Sequence, residues 1–219
     1  MSVITISRTI GSLGDYIGRT LAEELGYDYV DKDKIAEIIK DYGIIALDDI
    51  YNSVTHFWDR VNDYHQMTMK FLKDAMIAVA DNGNVVIAGR GSYGLLQDFN
   101  DIIHVRIKAP FDLRVIREME KNGSELEEAQ KMVRHDDKMR KRFIENNFHF
   151  DSGDVDLFDV VLDTSIIDPD DCVRILAEVY RGKGGVHRED LRPSVHDVEI
   201  DPVLKNHVAG KMKRNHNTA

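Results

Sequence analysis

Five short apolar runs occur along the chain, and the stretches between them carry apolar residues at every third or fourth position. Most of the runs are rich in β-branched residues, which is typical of strands buried on both faces. They lie at residues 3–6, 27–30, 84–88, 102–107 and 160–162. The spacing between the runs predicts helices at residues 15–25, 34–42, 47–80, 110–122, 124–146 and 168–180, with a short one near Ser92. Strands that alternate with helices predict an α/β fold, in which helices cover both faces of a parallel sheet.

Turn residues set the limits of these elements. Gly26 is suited to end a helix, Pro110 to begin one, and Ser124-x-x-Glu127 forms a capping box for the helix that follows. The segment 47–80 contains neither proline nor glycine, so it predicts either one long helix or two shorter ones.

The composition indicates one folded domain with an appendage, since the chain has 219 residues, 42% hydrophobic and 31% charged. The single cysteine, Cys172, excludes an intramolecular disulfide and is expected to be a small buried residue. Residues 1–6 lack the pattern of a signal peptide, and no apolar run has the ~18–20 residues that cross a bilayer. We therefore expect a cytoplasmic protein with no membrane partner.

A formal charge of −10 argues against a broad nucleic-acid surface and favours a small, focused basic site. A glycine-rich linker at 182–185 separates a domain at residues 1–181 from a tail at residues 182–219. We expect a loosely packed tail. A tail that packs on a second subunit, and so makes a homo-oligomer, is the alternative. The four histidines of the tail lack metal-ligand spacing, so no metal site is predicted.

The turns that follow the strands are candidate sites, because ligands of a parallel sheet bind beyond the carboxyl ends of its strands. The first strand leads into a glycine-containing turn and a helix, an arrangement in which backbone N–H groups can hold phosphate. The candidate phosphate ligands are Gly11, Ser12, Leu13, Gly14 and Asp15. The turn departs from the G-x-x-x-x-G-K-[ST] pattern, because Arg8 stands at the first glycine and Gly14 at the lysine. An ordinary turn remains the alternative.

Two further features could bind phosphate. Arg90 stands between two glycines directly after the 84–88 strand, and a guanidinium there suits bidentate phosphate recognition. The predicted helix 124–146 carries a basic stripe of Arg134, Lys138, Lys141 and Arg142, with Arg140 beside it. Such a stripe is usually a solvated face, but in an acidic chain it also suits a lid that closes cations over phosphates.

Taken in order, these motifs resemble those of cytidylate kinase and of the cytidylate kinase-like P-loop proteins over residues 3–180. The motifs are Ser7-Arg8…Gly11-Ser12-x-Gly14, Leu21-Ala22-Glu23-Glu24-Leu25-Gly26, Asp31-Lys32-Asp33, Gly89-Arg90-Gly91, His135-Asp136-Asp137-Lys138-x-Arg140-x-Arg142 and residues 159–165. The resemblance implies a P-loop NTPase-type fold with a parallel five-stranded sheet, a helical acceptor-side insert at about 44–81 and a helical lid at about 124–147. It also implies phosphoryl transfer from ATP, with Mg²⁺, to CMP or dCMP, so nucleotides are the expected partners.

The resemblance assigns roles to single residues. It implies that residues 11–14 bind the donor phosphates, that Arg90 grips the acceptor phosphate, and that the donor adenine packs at the turn beginning at Asp163. The implied lid cations are Lys138, Arg140 and Arg142, and the acceptor nucleoside would lie at Asp31 and Asp33. We hypothesise that Arg8 supplies the cation of the missing lysine.

The chain departs from cytidylate kinases where the acceptor is bound. Ala88 and Gly91 stand where those enzymes have acidic residues, and Glu37 stands at an acceptor-binding arginine. Three hypotheses therefore remain open. The first is an active nucleoside monophosphate kinase or a kinase of a related small acceptor. The second, favoured by the missing lysine and by Asp15, is a non-catalytic nucleotide-binding regulatory module on the same fold. The third is a structural or oligomerising protein.

Overall fold

The computed structural model describes residues 3–40, 60–181 and 192–213. Its strands are β1 (Val3–Arg8), β2 (Asp28–Val30), β3 (Val85–Ala88), β4 (Ile102–Lys108) and β5 (Val160–Asp163). All pair in parallel, in the order β2-β3-β1-β4-β5, so the predicted parallel five-stranded sheet is confirmed. This order puts the turns that follow β1, β3 and β4 side by side at one edge of the sheet.

Eight α-helices occur in the described ranges, together with two 3-10 turns at Val155–Leu157 and Val195–Asp197. The helices are α1 (Gly14–Leu25), α2 (Lys32–Lys40), α3 (Arg60–Asn82), α4 (Ser92–Leu95), α5 (Phe111–Asn122), α6 (Leu126–Phe148), α7 (Pro169–Arg181) and α8 (Pro202–Lys213). Residues 41–59, which hold much of the predicted insert, lie outside the described residues. Within the described ranges, no helix combines the length and apolarity that a membrane span needs.

The two faces of the sheet build two apolar clusters, because successive side chains of a strand point to opposite faces. Val3 and Ile102 join α2, α3 and α8 on one face. Ile4 and Ile103 join α1 and α7 on the other, where Cys172 is buried as expected. Helices on both faces of a parallel sheet confirm the predicted α/β fold.

Helix α6 begins two residues after the predicted start, and the capping-box prediction is wrong. Glu125 occupies the N-cap and makes no side-chain cap hydrogen bond. The hydroxyl of Ser124 is buried and has no hydrogen-bond partner among the described residues. The start of this helix is therefore set by its packing on α5 through Val115, Ala129 and Val133.

The described part of the C-terminal segment, residues 192–213, packs on the domain, so the expectation of a loosely packed tail is wrong there. Val195, Leu204, Val208 and Met212 join the apolar cluster of α2 and α3. The buried carboxylate of Asp81 pairs with Lys205 at 2.6 Å and with Nδ1 of His196 at 3.0 Å. The apolar face of α8 is thus covered by the chain's own α3.

Truncating Leu204 is expected to destabilise the whole domain. The side chain is only 3% exposed, so Leu204→Ala should lower the free energy of unfolding by about 2–5 kcal/mol. Val203, the neighbouring residue of the same helix, is 68% exposed, and Val203→Ala should cost less than about 0.5 kcal/mol. Urea denaturation measures both values, and equal costs would contradict the packing of α8 on the core.

An ion pair joins α8 to α2. Lys211 Nζ and Lys34 Nζ lie 2.8 Å and 2.9 Å from the carboxylate of Glu37, and their hydrogen bonds lower the pKa of Glu37 from 4.5 to about 2. This pair stabilises the fold above pH 4.5, where the unfolded-state carboxylate is ionised, and its contribution is lost as the pH falls towards 2.

Lys211→Met should therefore lower the free energy of unfolding by less than about 1 kcal/mol at neutral pH, because the pair is partly exposed. The difference from the wild-type chain should shrink when urea denaturation is repeated at about pH 3. A difference that stays constant between the two pH values would assign the effect to the packing of the lysine stem.

Candidate functional site

The turn between β1 and α1 presents a helix N-terminus that no side chain caps. Gly11 and Leu13 adopt left-handed conformations, with φ of 73° and 63°, and α1 begins directly afterwards at Gly14. Leu13 occupies the N-cap position and makes no side-chain cap hydrogen bond. Because the first N–H groups of a helix lack intrahelical partners, this end of α1 can bind an anion.

Three successive carbonyl groups of this turn are bound by residues from other elements. Arg114 Nη1 donates to the oxygen of Ile10 at 3.3 Å, and Arg117 Nη1 donates to the oxygen of Gly11 at 3.1 Å. The hydroxyl of Thr164 donates to the oxygen of Ser12 at 3.1 Å. These contacts hold the turn in one conformation against α5 and β5. Arg114 and Arg117 had no role in the sequence prediction.

Arg8, at the end of β1, lies between this turn and the end of β3. Its side chain is 8% exposed, and Nε donates to the carboxylate of Asp15 at 2.7 Å. A Cβ atom added to Gly14 would overlap Cβ of Arg8, and one added to Gly89 would overlap its Nη1. Glycine is therefore required at position 14, where Cβ of Arg8 cannot move aside. At position 89 the overlapping atom is the flexible end of Arg8, and the positive φ of 86° is what favours glycine.

The sequence Gly89-Arg90-Gly91 forms a turn in which all three residues have positive φ, at 86°, 54° and 69°. A Cβ atom on Gly91 would overlap the ring of Phe148, so α6 closes directly over this turn. Arg90 is buried at this position. A non-glycine residue in the left-handed region is uncommon and is often found at functional sites.

A cavity of about 300 Å³ opens at the edge of the sheet where these turns meet. It is lined by residues of β1, β4, α4 and α6, by the turn that follows β3, and by Ser152 and Gly153. Five of the lining side chains are cationic: Arg8, Arg90, Arg106, Arg140 and Lys141. The lining carboxylate, Asp137, accepts from Nη1 and Nη2 of Arg114 at 3.0 Å and 2.8 Å. The cavity is therefore rich in cationic hydrogen-bond donors.

Five cations were each given a role by the resemblance or by the Arg8 hypothesis, and the structure brings three of these into the cavity and leaves two outside it. Arg8, Arg90 and Arg140 line it, and Arg140 Nη1 donates to the oxygen of Arg8 at 3.1 Å. Lys138 and Arg142 are exposed and do not line it. The reason is the helical period: the face of α6 that carries Asp137, Arg140 and Ile144 covers the cavity, and Lys141 belongs to that face.

The predicted acidic residues lie outside the cavity, and two of them stabilise turns. One carboxylate oxygen of Asp31 accepts from the backbone N–H groups of Asp33 and Lys34 at 3.1 Å and 3.0 Å, at the start of α2. Asp33 itself is exposed. One carboxylate oxygen of Asp163 accepts from the N–H and hydroxyl of Ser165, and these hydrogen bonds lower the pKa of Asp163.

Arg106 was also missed by the sequence prediction. It lies within β4, where Nη1 donates to the hydroxyl of Ser7 at 2.6 Å, and the two residues are in register on neighbouring strands. His104 and Thr5 form the same kind of pair one step earlier on the same face, at 2.7 Å. Polar residues at alternate positions of an otherwise apolar strand were the available signal.

Comparisons with known proteins give this geometry a family. Residues 3–166 match the cytidylate kinase-like family. Cytidylate kinase of Pyrobaculum islandicum is 26% identical over 72% of this chain and 71% of its own, and cytidylate kinase of Pyrococcus furiosus is 27% identical over 77% and 82%. A crystal structure of an uncharacterized protein from Eubacterium ventriosum superposes with a TM-score of 0.65 and 21% identity over 84% of this chain and all of its own. The chain therefore belongs to the cytidylate kinase-like family.

Proposed function

We propose that the protein is a nucleotide kinase that transfers the γ-phosphoryl group of ATP to a nucleoside monophosphate or a related small acceptor. The observation that carries this proposal is the position of Arg8 between an uncapped helix N-terminus and a cationic cavity. Phosphoryl transfer needs little covalent chemistry from the protein, since positioning and charge neutralisation dominate. The site offers both, and its family membership supports the same reaction.

The turn at residues 11–14 is suited to the donor phosphates. The first N–H groups of α1 would bind phosphate oxygens, and the helix dipole would favour their negative charge. Asp163 ends β5 and Thr164 follows it beside this turn, where the resemblance puts the donor adenine. Arg114 and Arg117 donate hydrogen bonds to carbonyl oxygens of this turn and so fix its conformation. ATP binding therefore does not carry the entropic cost of ordering the turn.

The cavity is suited to the acceptor phosphate. Arg90 and Arg140 come from different elements, which lets them approach one phosphate group from two sides. Arg8 lies between the two subsites, where the transferred group would pass, and a cation there stabilises the charge of the transition state. In this proposal Arg8 performs the role of the lysine that position 14 lacks.

Magnesium is expected to bind with ATP, because it is commonly held by one or two carboxylates together with substrate phosphates. Asp15 fits this requirement, since it is an exposed carboxylate in the first turn of α1. Among the described residues, no group of three or more metal-binding side chains lies together, so the phosphates would supply most of the ligands. Bound magnesium would neutralise charge on the phosphates.

Cytidylate is the first acceptor to test, because the relatives are named cytidylate kinases. The residues that would recognise cytosine are altered, since Ala88 and Gly91 carry no carboxylate. At Gly91 the ring of Phe148 excludes any side chain, so the base must be recognised by other groups.

The test is ADP formation from MgATP with a panel of nucleoside monophosphates. We expect acceptor-dependent turnover that Arg90→Ala abolishes, while Arg174→Ala, a change on the exposed face of α7, leaves it intact. Absence of ATP binding in calorimetry would contradict the proposal.

A second candidate is a non-catalytic nucleotide-binding module. The observation that favours it is the ion pair between Arg8 and Asp15. This pair neutralises the cation nearest the turn, which is then less able to stabilise a phosphoryl group. ATP binding without turnover on any acceptor would support this candidate over the kinase.

A further inference from the structure

Arg106 is a cation of the cavity that neither the phosphate-binding turn nor the predicted lid explains. Its guanidinium is held by the hydroxyl of Ser7 and lies 5.7 Å from the centre of the Phe158 ring. Among the described residues it makes no direct ion pair with a carboxylate. The carboxylate of Asp137 acts on it electrostatically but is paired with Arg114, and burial lowers the pKa of Arg106. A partly buried guanidinium that no carboxylate contacts directly is incompletely compensated, so this position is suited to receive an anion.

Tyr93 places a second donor on the same cavity. The residue is 4% exposed, and its hydroxyl has no hydrogen-bond partner in the part of the chain that the structure describes. Burial raises the pKa of Tyr93 to about 12, so the hydroxyl stays protonated and can donate. Because buried polar groups are nearly always hydrogen-bonded, this hydroxyl indicates a ligand atom that accepts a hydrogen bond.

Three acceptor groups around the cavity, those of Asp137, Arg8 and Thr9, already have donors. Asp137 accepts from Arg114 with both oxygens, and the carbonyl oxygen of Arg8 accepts from Arg140. The carbonyl oxygen of Thr9 accepts from the N–H and hydroxyl of Ser12. The wall therefore offers mainly donors to a ligand, and its complement is an oxygen-rich anion.

We propose that Arg106 and Tyr93 form an anion subsite that binds a phosphate group of the acceptor. The subsite is separate from the phosphate-binding turn, because residues 11–14 do not line the cavity. A phosphate group supplies both features that the wall lacks: negative charge for the guanidinium and an oxygen for the hydroxyl. The assignment of this phosphate to the acceptor rests on the proposed kinase function, whereas the anion binding itself does not.

The test uses the full chain and inorganic phosphate, with binding measured by calorimetry in the absence of ATP. Arg106→Met should weaken phosphate binding by about tenfold or more, because it removes a charge-assisted hydrogen bond. Tyr93→Phe should weaken it by about threefold or more. Arg174→Met, on the exposed face of α7, and Tyr180→Phe, in the cluster on the other side of the sheet, should leave it unchanged.

Thermal unfolding separates binding from a merely structural role. Tyr93→Phe removes a buried hydroxyl that lacks a partner, so the unfolding temperature should stay the same or rise while phosphate binding weakens. If Arg106→Met fails to fold, Arg106→Lys keeps the charge and should retain phosphate binding better than Arg106→Gln.

The outcomes distinguish this inference from the proposed function. If the wild-type chain does not bind phosphate, or if both variants bind it as the wild type does, the subsite is wrong. If the variants lose phosphate binding but no acceptor yields ADP, the subsite stands and the kinase proposal fails. If turnover occurs and neither substitution changes KM for the acceptor, the kinase proposal stands and the subsite fails.

Discussion

Replacing Arg8 by glycine is expected to lower kcat by about 100- to 1000-fold, and a second change, Gly14→Lys, is expected to restore most of the loss. The reason is steric as well as electrostatic. Cβ of Arg8 occupies the space that a side chain at position 14 would enter, so an arginine at 8 and a glycine at 14 form one compensating exchange. The double variant has a lysine at position 14, the start of α1, and a glycine at position 8, the end of β1. This is the arrangement of the G-x-x-x-x-G-K-[ST] pattern.

The single change Gly14→Lys should be less stable than either the wild type or the double variant, because its Cβ would overlap Arg8. Steady-state kinetics and thermal unfolding of the three variants test this account together. If Arg8→Gly keeps full activity, Arg8 is not the catalytic cation. If the double variant is folded and binds ATP but is as inactive as Arg8→Gly, the exchange is wrong.

Arg114→Met is expected to lower the free energy of unfolding by about 3 kcal/mol. Arg114 is buried and makes two hydrogen bonds to Asp137, one to Ala109 and one to Ile10. Removing Arg114 leaves the partly buried carboxylate of Asp137 uncompensated and the carbonyl groups of Ala109 and Ile10 without this donor, which is destabilising. Since Arg114 joins α5, α6 and the phosphate-binding turn, ATP binding should weaken as well.

Lys131→Met is the matched control for this change. Lys131 pairs with Glu127 on the exposed surface of α6, and such pairs contribute less than about 1 kcal/mol. Urea denaturation gives the two free energies, and calorimetry gives the affinity for ATP. A cost of under about 1 kcal/mol for Arg114→Met would show that the turn is held by other contacts.

The strands and the central site residues could be predicted from the sequence because both follow from local pattern. Short apolar runs, most of them rich in β-branched residues, marked all five strands. Arg8 and Arg90 were found because they end or directly follow such runs, and parallel strands bring those ends together.

The remaining site residues depend on tertiary packing, which local pattern does not reveal. Arg114 and Arg117 lie on an amphipathic helix like any solvated arginines, and only the docking of α5 against the turn brings them to its carbonyls. The charged stripe on α6 was predicted as one surface, whereas burial of Met139 and Phe143 orients Lys138 and Arg142 away from the cavity.

The C-terminal segment was predicted to pack loosely because of the glycine-rich linker before it and its many charged residues. Its apolar spacing was given too little weight. Leu204, Val208 and Met212 recur every fourth residue, which is a helical stripe. That stripe packs on α3. Oligomerisation through this segment stays a prediction, and the described part of the stripe is already buried within one chain.

The central claim is that a phosphoryl group passes from ATP at the β1–α1 turn, past Arg8, to an acceptor in the cavity. ATP labelled in its γ-phosphoryl group tests this most directly, when the wild-type chain is incubated with it, Mg²⁺ and each nucleoside monophosphate in turn. The account predicts that the label appears in a nucleoside diphosphate formed from the acceptor. Label that appears only in inorganic phosphate, or stays in ATP with every acceptor, would contradict it.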